Sequence, residues 1–301
     1  MINDLKYQMR NGSIITKLMI INIAVFVVQS IILLFFTLSG KGDVFKEFLT
    51  WFYFPKSISV SFGVNDLIHK PWSIITYQFF HEPSGVLHIL FNMLYLWFFG
   101  RILIGYLNRQ FILPLYLTGG IIGALLFMLT YNVSPIFQTN DAVLLGASAS
   151  ILAIVVAAAT LAPDYTVFLL LLGPVKLKHI ALIAILFDIV SISSGENAGG
   201  HIAHIGGALT GFLYIQSYRS GRNWFGWWPR FEDKISGLFE RKKPKVVFVN
   251  PKQQKPRSAS GITEDTQKRM DEILDKIAQS GYDSLTKSEK EFLFKISNEK
   301  K

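Results

Sequence analysis

The chain has 301 residues, half of them hydrophobic, with 25 Phe and a mean hydropathy of +0.36. That balance excludes an ordinary soluble domain and fits a multi-spanning membrane protein, while the lack of cysteine excludes disulfides and thiolate metal or redox sites. The net charge of +9 sits in the tail, since residues 1–218 hold 11 Lys/Arg against 9 Asp/Glu and residues 219–301 hold 19 against 12; this reads as attraction to an anionic membrane surface rather than to nucleic acid.

Residues 1–17 are a polar N-terminus with Lys6, Arg10 and Lys17. Residues 18–38 form a first span, too long for the apolar region of a cleavable signal peptide. Residues 39–85 are rich in aromatics, among them Trp51, Phe52, Tyr53, Phe54, Trp72 and Phe80, yet carry charge. They predict a structured loop in the bilayer interface, the zone that aromatic rings favour. Further spans are expected over 86–105, 111–131, 143–162, 179–194 and 201–218. Residues 164–178 are apolar but short and are broken by Gly173-Pro174, so they read as a re-entrant or interfacial connection.

Residues 219–262 make a basic juxtamembrane linker. Trp224, Trp227 and Trp228 suit interface anchors, and the cations of 230–257, with RKKPK at 241–245, suit anionic lipid headgroups or a solvated linker. Residues 263–301 predict a small helical hairpin. Met270, Ile273, Leu274 and Ile277 form one stripe, Gly281 breaks it, and Phe292, Leu293 and Ile296 form another; Thr286-Lys287-Ser288-Glu289 is a capping-box pattern. The fold class is thus all-α: a six-span membrane bundle over 18–218 with a C-terminal helical hairpin.

Charge asymmetry orients it. The loops 132–142 and 195–200 have no Lys or Arg, whereas Lys6, Arg10, Lys17, Arg109, Lys176, Lys178, Arg219 and Arg222 share the opposite side. The positive-inside tendency places that side, with both termini, in the cytoplasm.

Polar residues inside spans then fall into a pattern. His88 and Asn92, spaced i, i+4, share one face of the second span near its outer end. Ser148 lies ~7 Å into the fourth span, and His204 ~5 Å beyond His201 in the sixth. Four polar side chains from three helices therefore converge at one depth in the outer leaflet. Their chemistry suits nucleophilic catalysis: a serine hydroxyl needs a base, neutral imidazole supplies one, and donors must meet the oxyanion that forms. Ser148 is the candidate nucleophile and His204 the base. His204 is preferred over His201 because Gly207 and Gly211 follow it and let another helix come close. His88 and Asn92 are candidate oxyanion donors. Asp188, toward the outer half of the fifth span, is a possible orienter of the base but reads more simply as a polar contact to a neighbouring helix or loop, so a Ser–His dyad is the simplest site. Ser150 points to another side and reads as structural.

These residues carry a resemblance. Gly146-Ala147-Ser148 resembles the G-x-S nucleophile element of rhomboid intramembrane serine proteases. Ala203-His204-Ile205-Gly206-Gly207 with Gly211 resembles their A-H-x-x-G-x-x-x-G helix, and His88-Ile89-Leu90-Phe91-Asn92 their H-x-x-x-N element. The resemblance covers about residues 70–215. It implies a serine endopeptidase, without metal or cofactor, that cuts transmembrane protein substrates near the outer leaflet. Ser148 would be the nucleophile, His204 the base, and His88 and Asn92 the oxyanion-stabilising residues. It also implies a multi-pass protein of the bacterial inner membrane. Departures are Ser73 after Trp72 where the family has arginine, Ala149 where it often has glycine, and Leu152 where it often has an aromatic. The competing reading is a catalytically silent relative that binds or escorts membrane proteins; such proteins typically lack one or both of the residues at 148 and 204. A small-solute transporter is disfavoured, because apart from Asp188 the polar set lies away from the bilayer midplane.

Overall fold

The computed structural model describes residues 2–56, 66–138, 142–169, 173–193, 197–239 and 264–298. It divides into two units, Met1–Phe239 and Glu240–Lys301.

In the first unit, α1 (Ile2–Asn11) precedes α2 (Ile14–Leu38). Ser13 opens α2: its Oγ accepts the Thr16 N–H at 3.1 Å, satisfying one orphan donor of the first turn. Among its described residues the aromatic loop holds α3 (Gly42–Leu49), the two-residue strand β1 (Phe54–Pro55) and the single turn α4 (Ser73–Thr76). Trp51 and Trp72 stack with ring centroids 6.2 Å apart, and Trp72 Nε1 donates to the Trp51 carbonyl at 2.9 Å. Lys70 is buried and donates through Nζ to the Thr50 carbonyl at 2.8 Å. The loop therefore has a cationic tie although position 73 is a serine.

The chain continues through α5 (Val86–Ile104), a 3-10 turn at Arg109–Phe111, α6 (Ile112–Val133) and the short α7 (Pro135–Gln138). Strand β2 (Val143–Leu144) pairs antiparallel with β1, Phe54 opposite Leu144 and Pro55 opposite Val143. Helix α8 follows as Ser148–Leu161. The fourth helix thus starts five residues later than the apolar run from 143 predicts. The first two apolar residues are spent on a strand, and Gly146 then turns the chain at φ +113°, a conformation that L side chains rarely adopt. Its N–H is held by the Tyr77 carbonyl at 3.0 Å. Ser148 is consequently the first helical residue, not one well inside a helix.

The Gly173-Pro174 connection is an antiparallel hairpin of β3 (Thr166–Leu169) and β4 (Gly173–Lys176), with Leu169 opposite Gly173. Asp164 bridges Lys176 and Lys178 at 3.0 and 2.9 Å beside it. Then come α9 (Leu177–Ile192), α10 (Ala198–Arg219) and α11 (Trp228–Phe239).

Helix α8 is the centre of the unit. Its residues Ala149 through Ala159 are all buried, with α5, α6, α9 and α10 packed around it. Small residues set the spacing to α10: a Cβ at Gly207 would lie 2.0 Å from the Ala149 carbonyl oxygen, and one at Gly211 2.2 Å from that of Ala153. Backbone meets backbone at both places, as small-xxx-small packing permits.

Outside this core the helices present apolar side chains outward. On α9, Leu182, Leu186, Ile189 and Val190 are exposed. Leaving four such side chains in water would forfeit about 6–12 kcal/mol, comparable with the whole stability of a domain. Lipid is the solvent that fits. Ile14–Leu38, Val86–Ile104 and Arg109–Val133 are each long and apolar enough to cross a bilayer, while Ser148–Leu161 is apolar but shorter. At ~1.5 Å per residue, the 14-residue α8 falls short of ~30 Å of hydrocarbon. Surrounded by longer helices, it does not need to be helical through the whole hydrocarbon layer, because flanking backbone is tolerated at that depth where it is buried in protein.

The second unit holds α12 (Glu264–Ser280) and α13 (Lys287–Asn298), joined by a 3-10 turn at Tyr282–Ser284. The expected capping residue is in place: Glu289 accepts from the Thr286 N–H at 2.7 Å, from its hydroxyl at 2.8 Å and from Lys276 Nζ at 2.9 Å. Ile273 and Leu285 are buried, but Leu274, placed on the apolar stripe by periodicity, is half exposed. The RKKPK segment with Lys252, Lys255 and Arg257 lies outside the described residues.

Candidate active site

Three helices bring the polar residues together. Ser148 opens α8, where the first N–H groups have no partner within the helix. His204 is in the first half of α10, three residues before Gly207. The close approach at Gly207 brings its imidazole to the serine, and Ser148 Oγ and His204 Nε2 are 2.6 Å apart. His88 and Asn92 come from α5. A single point, where a Cβ on Gly146 would sit, is 3.4 Å from His88 Nε2 and 3.8 Å from Ser148 Oγ. The His88 ring therefore faces the serine across the turn before α8.

All four residues line one cavity of about 610 Å³ between α5, α8, α9 and α10. Its polar end holds Ser148 and His204, and the remainder is walled by apolar side chains such as Phe91, Ile151, Val155 and Phe187.

The far side of His204 is occupied by a carboxylate. His204 Nδ1 lies 2.8 Å from Asp188 Oδ1, and His201 Nδ1 lies 2.7 Å from the same oxygen. An ionised carboxylate only accepts, so each Nδ1 donates its proton. That tautomer leaves the Nε2 lone pair of His204 directed at the serine hydroxyl, the arrangement a general base requires. Among the described residues, Asp188, His201 and His204 also form a group whose donor atoms lie within 4.8 Å of one another. Their N···O separations of 2.7 and 2.8 Å are hydrogen-bond lengths, shorter than the roughly 3.3 Å edge of a zinc tetrahedron built on ~2.0–2.1 Å bonds. As it stands the cluster is a hydrogen-bonded group in which one carboxylate oxygen accepts from both imidazoles.

The Rhomboid domain family matches residues 69–220, just over half of the chain, a range that contains Ser148, His204, His88 and Asn92. The chain belongs to the rhomboid family. A second match, to a family of unknown function (DUF6576), covers residues 264–299 and hence the C-terminal helices. Among curated relatives, this rhomboid is 35% identical over 138 residues to presenilin-associated rhomboid-like protein A, mitochondrial, of Danio rerio, covering 44% of this chain and 34% of that protein. It is 30% identical over 160 residues to RHOMBOID-like protein 12, mitochondrial, of Arabidopsis thaliana, covering 50% and 47%. The match thus spans from a third to about half the length of these relatives. The family and the apolar helices mark a membrane protein; both relatives' names are mitochondrial, and neither points to a bacterial inner membrane.

The rhomboid bundle brings together all four residues singled out from the sequence, and it adds others. Asp188, expected to be an incidental polar contact, is bonded to His204 itself. His201, passed over in favour of His204, is bonded to the same carboxylate. The signal for both was present: an acid in one span at the depth of two histidines in the next. His81 was not singled out at all. It is buried in the loop before α5, and its Nε2 lies 3.2 Å from Asn92 Nδ2, accepting the amide proton and fixing how the amide points. Gln29 Nε2 in turn donates to the His81 carbonyl. Ser150, set apart as structural, donates to Gln78 Oε1 at 3.0 Å and faces away from the cavity.

Proposed function

We propose that this rhomboid is an intramembrane serine endopeptidase that cleaves transmembrane protein substrates near the outer leaflet, with Ser148 as nucleophile and His204 as general base. The observation that carries the proposal is the 2.6 Å contact between Ser148 Oγ and His204 Nε2 at one end of a largely apolar cavity. In the reaction, Ser148 Oγ attacks the scissile carbonyl carbon as its proton passes to His204 Nε2. The carbonyl oxygen becomes an oxyanion, met by the unpartnered N–H of Ser148 at the start of α8 and by side-chain donors from His88 and Asn92. Collapse breaks the C–N bond, His204 returns the proton to the leaving amine, and water then hydrolyses the acyl-enzyme by the same steps in reverse order. No step calls for a metal or cofactor.

The architecture that goes with this reading has six spans, α2, α5, α6, α8, α9 and α10, and both termini on the cytoplasmic side. It is supported by the charge asymmetry of the loops and by the outward apolar faces. The choice of a bacterial inner membrane rests on the sequence resemblance alone, and anionic headgroups as partners of residues 230–257 rest on their charge.

Fluorophosphonate labelling of the detergent-purified protein tests the activity. Wild-type labelling that disappears in Ser148→Ala and falls at least about a hundredfold in His204→Ala is the expected result. Absence of labelling in the wild type, with binding of membrane proteins retained, would instead favour a silent, escort-type rhomboid.

A further inference from the structure

We propose that Asp188 is a positioning residue of this site, converting the expected Ser–His pair into a Ser148–His204–Asp188 relay in which His201 holds the carboxylate in place. The inference rests on the nucleophile reading above.

A carboxylate on a membrane helix is costly and must be compensated. Asp188 is 5% exposed, yet the partners that ion-pair geometry gives it among the described residues are two histidines, not a lysine or an arginine. To accept the serine proton His204 must have a free Nε2 lone pair, so before the reaction it meets Asp188 as an N–H donor through Nδ1. The charge on His204 appears only when it takes the serine proton. At that moment an imidazolium lies 2.8 Å from a carboxylate, a stabilisation gained in the transition state and absent from the ground state, which is what accelerates a reaction. The proton goes no further than His204: Asp188 stays ionised and orients the ring.

His201 completes the device. It lies three residues before His204 on α10, so both rings rise from one face of that helix. Both donate to a single oxygen, Asp188 Oδ1, at 2.7 and 2.8 Å. The second donor keeps the carboxylate aimed at α10 whether or not His204 is protonated. A contact that served only to dock α9 on α10 would not need the same oxygen to meet the base on its Nδ1 side.

The experiment is the concentration dependence of fluorophosphonate labelling in the full-length, detergent-purified protein, which separates the maximal rate, kinact, from the half-saturating concentration, KI. In this step the Oγ–P bond forms, the P–F bond breaks, and the proton taken by His204 leaves with fluoride. Asp188→Asn keeps the volume but lets the amide present the wrong hydrogen-bonding group to Nδ1. We expect kinact to fall about 10- to 1000-fold with KI changed less than about twofold, and thermal melting near that of wild type. Asp188→Glu restores the carboxylate and recovers kinact to within about tenfold of wild type, while His201→Gln, which can still donate, loses about threefold. Labelling by Asp188→Asn at the wild-type rate overturns the proposal, as does a loss that Asp188→Glu shares in full while both variants melt like wild type. Those outcomes leave the nucleophile reading standing so long as Ser148→Ala abolishes labelling. A wild-type protein that no fluorophosphonate labels takes both readings down together.

Discussion

Two serines one turn-fraction apart on α8 show how much a single side chain's direction decides. Ser148 meets an imidazole at 2.6 Å, whereas Ser150 is wholly buried and gives its proton to Gln78 Oε1. Ser150→Ala leaves that amide oxygen short of a donor, which costs about 1–3 kcal/mol of stability but touches nothing in the cavity. Asn92→Ala also leaves a buried acceptor, His81 Nε2, without its donor, at a similar cost in stability. It removes a candidate oxyanion donor besides, so the labelling rate should fall on the order of a hundredfold. Measured side by side in detergent, the two variants should melt alike and differ in rate; a similar loss of rate in both would remove Asn92 from the oxyanion role. His88 and Asn92 were legible in the sequence because i, i+4 spacing on an apolar helix marks a polar face. His81 was not, because it sits in a loop, and no periodicity ties a loop residue to the amide it orients.

At the scale of elements, the contact between α8 and α10 is the one on which the site depends. It is made by backbone against backbone at Gly207 and Gly211, and the sequence announced it as a small-xxx-small pair. Gly207→Ala and Gly211→Ala each insert a methyl group where a carbonyl oxygen already lies 2.0 or 2.2 Å away. Each should cost about 1–3 kcal/mol through overpacking, read as a lowered melting temperature in detergent. Gly207 is three residues from His204 and Gly211 seven, so Gly207→Ala should also slow labelling more than Gly211→Ala at equal loss of stability. Equal rates in both would mean that the helices relax without moving the imidazole. The start of α8 was the element misjudged from the sequence. Hydrophobicity made 143–162 one run, but Val143 and Leu144 pair with Pro55 and Phe54, a partner about ninety residues away that no local window contains.

The whole molecule comprises a membrane unit and a separate C-terminal unit, the latter matched by its own family. In that second unit Glu289 caps α13. Its carboxyl is held down from the ordinary 4.5 to about 2, first by the backbone N–H of Thr286 and then by Lys276. A depressed carboxyl contributes stability that is fully present above its unfolded value and lost as pH falls through the folded one. The C-terminal helices should therefore lose stability between about pH 4.5 and about pH 2, and Glu289→Gln should lack that acid-dependent part while being less stable at pH 7. An acid titration of the full chain, followed at the Glu289 carboxyl by NMR, checks both statements; a midpoint near 4.5 would contradict the cap. Asp164, beside the β3–β4 hairpin, follows the same sign: Lys178 and Lys176 hold its carboxyl down to about 2.

The sequence by itself determined the solvent, the helical class, the order of the apolar segments and the types of residue at the site. Each is written in local composition and in 3.6-residue spacing, and lipid enforces both by leaving no backbone group unpaired. Only the tertiary structure decided which polar groups touch. That Asp188 serves His204, that His201 shares its oxygen, and that His81 steers Asn92 depend on the packing of α9 on α10 and of a loop on α5. Those distances are settled by contacts between segments far apart in the chain. Periodicity can place such residues on a face, but it carries no information about what the face meets.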